Sequence, residues 1–72
     1  MNHYVVIYER GPTSWGAWVP DLPGCVAAGD TRAQVEQLIR EAIDAHIESL
    51  REHGELVPEP SSTAGFVEAR AV

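Results

Sequence analysis

The stretch WVPDLPGCVAAGDTRAQ, Trp18 to Gln34, decides how this chain folds. Its prolines, Pro20 and Pro23, bracket Asp21 and Leu22, and Gly24 follows with the freedom to take a positive φ, so the segment reads as a tight connection between two strands. CVAAG, ending at Gly29, then reads as a short strand of small residues. At DTRAQ the chain changes character. Thr31 is placed to cap free backbone N–H groups, Gln34 stands three residues later where a capping box needs it, and Asp30 adds negative charge near a helix N-terminus. One short stretch therefore predicts a turn, a strand and the start of a helix.

Toward the N-terminus, HYVVIYER is rich in β-branched and aromatic residues and predicts a strand over about residues 3–10. GPTS, Gly11 to Ser14, is turn material, and WGAWVP predicts a second strand over 15–20. With the third at 24–29, short links make these an antiparallel meander. Trp15 and Trp18, three apart on the second strand, point to opposite faces, so one indole is left toward solvent or a partner if a helix covers the other face.

Toward the C-terminus, Val35, Leu38, Ile39, Ala42, Ile43, His46, Ile47 and Leu50 recur at helical spacing and form one apolar stripe. Glu36, Arg40, Glu41, Asp44, Glu48, Arg51 and Glu52 fill the other faces, and Gly54 supplies a stop. The helix is expected over 31–53, lying on one face of the sheet. Pro58 and Pro60 exclude its continuation, so 54–65 reads as an exposed connector. FVEARAV then reads as a final strand over 66–71, gaining from pairing beside the first, with a disordered tail as the alternative. The reading is one α+β domain over residues 1–72, ordered β-β-β-α-β.

A 72-residue domain buries only about 60% of the surface its unfolded chain exposes. Small cores of this kind are commonly reinforced by a disulfide, a metal or a partner subunit. The single cysteine, Cys25, excludes an intrachain disulfide, and reinforcement by self-association into a dimer or tetramer is the expectation. No apolar run is long enough to span a bilayer and Met1-Asn2-His3 leads straight into a strand pattern, so a cytoplasmic protein is expected. Eleven acidic residues against five arginines give a formal charge of −6. Nucleic acid would be repelled, so no direct nucleic-acid binding is expected, whereas a basic protein partner suits the charge.

The residues carry little sign of catalysis. His3, His46 and His53 form no metal-ligand pair, and Cys25 has no companion ligand, so no metal and no cofactor are expected. His46 falls within the apolar stripe, and Cys25 reads as a small buried hydrophobe without a base to activate it. Asp21 and Asp30 could pair as metal-binding carboxylates, yet turn chemistry and helix capping already account for them. Gly24 and Gly29 lack the spacing of a phosphate loop. The expectation is a protein that is not an enzyme.

The combination of YVVIYE, the Pro20-Asp21-Leu22-Pro23-Gly24-Cys25 turn, the Gly29-Asp30-Thr31 helix start, the helical stripe and the VPEPSS exit resembles the HicB family of antitoxins over residues 4 to 62. The resemblance implies a partial ribonuclease-H-like β-β-β-α-β fold. It also implies a function: masking HicA, a small basic ribonuclease that cleaves messenger RNA. Pro20, Asp21, Pro23, Gly24, Gly29, Asp30 and Thr31 are then structural, while charge and exposure nominate Glu9, Trp18, Asp21, Glu41, Asp44 and Glu48 as toxin contacts. Many family members continue into a DNA-binding domain, and this chain is expected to be a single-domain form without one. The alternative is an orphan oligomeric binding module whose toxin has been lost.

Overall fold

In a computed structural model, which describes residues 3–70, the three strands and the helix follow in the expected order. Strand β1 is Ile7–Arg10, β2 is Trp15–Trp18, β3 is Val26–Gly29, and helix α1 is Arg32–Glu52. The strands form an antiparallel sheet in the order β1-β2-β3, with Ile7 opposite Trp18 and Trp18 opposite Val26.

The strands are shorter than the apolar runs suggested, and β1 shows why. Val19 donates its N–H to the Cys25 carbonyl on the β3 side (3.2 Å), so the next donor toward β1 would come from Pro20. Proline has no N–H. The ladder between β1 and β2 therefore stops at Ile7, and Tyr4 to Val6 run on outside it.

The connection after β2 is built as the prolines and Gly24 require. Leu22 donates to the Val19 carbonyl and Cys25 to the Leu22 carbonyl, at 3.1 and 3.0 Å, with Gly24 at φ 85°. These bends turn Leu22 inward, where it is fully buried. Thr31 caps α1, its Oγ1 accepting from the Gln34 N–H at 3.1 Å. Gln34 reaches back one residue further than a standard capping box, its Oε1 accepting from the Asp30 N–H at 2.8 Å. That reach needs Gly29, because a Cβ there would lie 2.7 Å from Gln34 Oε1. At the far end Glu55 donates to the Leu50 carbonyl and Gly54 to that of Arg51, a Schellman ending that Gly54 permits at φ 68°.

Helix α1 lies over β2 and β3 and meets β1 mainly through side chains such as Arg32 on Tyr8. The buried core is Ala17, Val19, Leu22, Cys25, Val35 and Ile39. Of the predicted stripe, Val35 and Ile39 are fully enclosed, Ala42, Ile43 and Ile47 only pack against this core, and Leu38 is exposed. Burial raises the Cys25 thiol pKa, as expected of a structural cysteine and not of a nucleophile.

One expected element is corrected. Residues 66–70 form no strand, and Phe66 and Val67 are exposed in full. A strand needs a ladder partner, and the connector delivers this segment away from the free edge of β1. Tyr4 Oη donates to the Pro58 carbonyl at 2.6 Å, and the chain then crosses to Asp21 at the link between β2 and β3. Residue 71 of the expected strand lies outside the described residues.

Candidate partner-binding surfaces

The two tryptophans divide as their spacing predicts. Trp15 packs against the core on the helix side, while Trp18 stands on the opposite face of the sheet, 42% exposed. Trp18 Nε1 donates to Glu9 Oε1 at 2.6 Å, which fixes an indole and a carboxylate together on the uncovered face. Gly16, opposite Glu9 in the ladder, adds no side chain between them. Ile7 and the largely exposed Val26 flank Trp18 in register and extend an apolar patch with one acidic group at its side.

On the helix side the aromatic residues serve another purpose. The Arg32 guanidinium lies 4.4 Å from the centre of the Tyr8 ring and 5.9 Å from that of Trp15. A cation in the first turn of a helix opposes the helix dipole, and contact with two ring faces offsets that. Neither composition nor periodicity announces this contact.

Asp21 is absorbed by the structure. Its Oδ2 accepts from the N–H groups of Ser61 and Ser62, both at 2.9 Å, and its Oδ1 accepts from their hydroxyls at 3.1 and 2.8 Å. The two backbone donors, Ser62 first, hold its pKa down from 3.8 to about 2. Both oxygens are thus engaged within the chain. Turn chemistry is only part of this residue's role: Asp21 clasps the connector to the sheet. The serines of VPEPSS are the sequence signal, but nothing local names their acceptor.

Glu41, Asp44 and Glu48 are exposed along α1. Glu41 accepts from Gln37 Nε2 at 2.9 Å, one turn earlier. Asp44 borders two hollows. One, of about 380 Å³, lies between β1 and α1, with Tyr4, Val6, Tyr8, Ile39 and Ile43 beside Glu36, Arg40 and Asp44. The other lies further along the helix against Ile47, Glu48 and Arg51. The six nominated residues therefore fall in three places: Glu9 and Trp18 on the open sheet face, Asp21 at the sheet's end, and the helical acids on the opposite side.

Among the described residues, no cluster of three or more histidine, cysteine or acidic side chains could hold a metal ion, and no buried side-chain polar atom lacks a partner. Among the described residues no helix is long and apolar enough to cross a membrane. Fold and surfaces define a small acidic α+β domain whose distinctive groups lie on open faces. The chain belongs to the HicB-like antitoxins: the family described as "HicB_like antitoxin of bacterial toxin-antitoxin system" matches residues 3–71.

Among its relatives, one is named an antitoxin. The UPF0150 protein Ta0767 of Thermoplasma acidophilum is 40% identical over 58 residues, covering 81% of this chain and 84% of that protein. Antitoxin HicB 2 of Photorhabdus laumondii is 33% identical over 73 positions, covering 94% of this chain and 50% of its own length. An uncharacterized 14.9 kDa protein from the rep-hol intergenic region of Haemophilus phage HP1 is 33% identical over 64 residues, covering 89% and 48%. The chain thus spans about half the length of the latter two and most of the first.

Proposed function

We propose that this protein binds and masks a small basic HicA-type ribonuclease, with the Glu9–Trp18 pair at the centre of the contact. The observation that carries the site is that pair: a large aromatic side chain and a carboxylate, bonded to each other on a sheet face that no element of the described residues covers. Aromatic anchors of this kind concentrate binding energy at interfaces. The charge of −6 favours a cationic partner by accelerating and orienting encounter. Family membership supports a toxin as the kind of partner. Inhibition then works by occlusion: the antitoxin sits over the ribonuclease site and performs no bond chemistry itself, in the cytoplasm where messenger RNA is cleaved.

Glu41, Asp44 and Glu48 act in this reading as a distributed negative field, since they lie on the other side of the sheet. The test is a titration against a small basic HicA-type ribonuclease, the one encoded beside this chain where there is one, with RNA cleavage followed in the same tube. Binding that extinguishes cleavage, weakened by Trp18→Ala, is the expected result. Binding that ignores Trp18 but weakens with Glu41→Lys or Glu48→Lys moves the contact to the helix. No binding at all sinks the toxin-masking reading and leaves an orphan module.

A further inference from the structure

The hollow between β1 and α1 follows from the fold. Because α1 lies over β2 and β3, the helix side of β1 is only partly covered, by Arg32 on Tyr8 and by the edge of the core, and Val6, Ile39 and Ile43 line an apolar floor there. Along the outer side of β1 the backbone has no ladder partner among the described residues, including the extended run Tyr4 to Val6. An open edge beside an apolar groove is the arrangement that accepts an added strand.

The same molecule carries a segment suited to that place. Residues 63–70 are exposed throughout, with Phe66 and Val67 at 104% and 93%. Their departure from the body lengthens the molecule: the radius of gyration is 14.2 Å, against roughly 11 Å for a compact domain of this length. In an extended conformation Phe66, Glu68 and Arg70 share one face. The groove matches that face, with an apolar floor for Phe66, Arg40 for Glu68, and one of the acids flanking Arg40, Glu36 or Asp44, for Arg70.

We propose that residues 66–70 of one copy lie as an added strand along the free edge of β1 in a second copy, with Phe66 in the groove between β1 and α1. Each copy offers one groove and one tail, so the exchange is reciprocal and closes as a two-fold dimer. A second copy is the occupant because the chain's own tail is carried past β1. The connector touches Tyr4 at Pro58, is then clasped to Asp21 through Ser61 and Ser62, and leaves from the link between β2 and β3. This dimer is independent of the toxin reading, which uses the opposite sheet face.

The experiment is the solution mass of the 72-residue chain by light scattering, over a range of concentrations. The expected mass is twice 7.9 kDa, halved in Phe66→Asp. Phe66 is fully exposed among the described residues, so this variant should keep its helix signal. Arg40→Glu should weaken the dimer, and adding Glu68→Arg should restore it, which a general loss of folding would not do. To locate the tail, spin-labelled unlabelled-isotope chains are mixed with isotope-labelled, untagged ones. Broadening at Tyr4 to Tyr8 and Ile39 to Asp44 of the untagged chains is expected.

A mass of 7.9 kDa at every concentration overturns the proposal. So does a dimer indifferent to Phe66→Asp, or broadening confined to β3 or to the tagged chain itself. A dimer with these properties that binds no toxin upholds the exchange and removes only the function proposed above.

Discussion

Val35 and Ile39, in the first half of α1, are buried to 0% and 2% exposure, whereas Ile43 and Ile47, continuing the same spacing, are only partly covered. Propensity does not separate them. Dimensions do: a helix of 21 residues is about 31 Å long, while a strand of four residues runs only about 13 Å. Beneath the first half, the bend from Val19 to Cys25 turns Leu22 into the core with Val35 and Ile39; in the second half Ile43 faces the open hollow beside Tyr4 and Val6. Periodicity therefore identifies which face of a helix is apolar, and the partner element decides how much of that face is covered.

The sharpest test of this contrast is Leu22→Ala against Ile47→Ala. Removing the fully buried Leu22 side chain should destabilise by ~2–5 kcal/mol, comparable with the ~3–5 kcal/mol that a small core supplies in total. A chemical melt should find that variant largely unfolded and Ile47→Ala much less affected. Equal losses would mean that both halves are equally enclosed in solution.

A smaller effect is expected at the clasp. Asp21 has a folded-state pKa of about 2 against 3.8 for the free group, so its stabilisation is complete above 3.8 and is lost as pH falls toward 2. Asp21→Asn should flatten the stability profile across that window. It should also speed hydrogen exchange at the Ser61 and Ser62 amides, while leaving the core amides of Val35 and Ile39 protected. An unchanged acid profile would show that the clasp does not persist in solution.

Thr31→Ala removes the helix cap and should destabilise by ~0.5–2 kcal/mol, read from the same chemical melt. Smallest of all should be Trp18→Ala, within ~0.5 kcal/mol of the parent as befits a surface position. Its effect belongs in the toxin titration, where association should weaken. A large loss of stability would place Trp18 in the framework and not on a contact surface.

These differences also mark what the sequence discloses. The helix start at Thr31 and Gln34 and its end at Gly54 were legible because capping chemistry is local. So was the opposite facing of Trp15 and Trp18, which follows from the two-residue period of a strand. The clasp was not legible, since Asp21 and its serine partners stand 40 and 41 residues apart. Nor was the hold of Tyr8 and Trp15 on Arg32, which exists only once β1, β2 and the helix start are assembled. FVEARAV reads as a strand from its alternation, but alternation does not say which edge, or whose, it pairs with. Among the nominated contact residues, charge and exposure selected groups that are mostly on the surface, yet could not show that they lie on opposite sides of one sheet.

The clasp has a consequence for length. The entropy of closing a loop grows only slowly with its size, each doubling adding about 0.6 kcal/mol. Insertions between Gly54 and Ser61 should therefore be tolerated, provided Ser61 and Ser62 can still return to Asp21. Connector length then has little influence on where the chain beyond it begins its path. One carboxylate at the end of the sheet fixes that point, and any segment appended after the serines sets out from the same place.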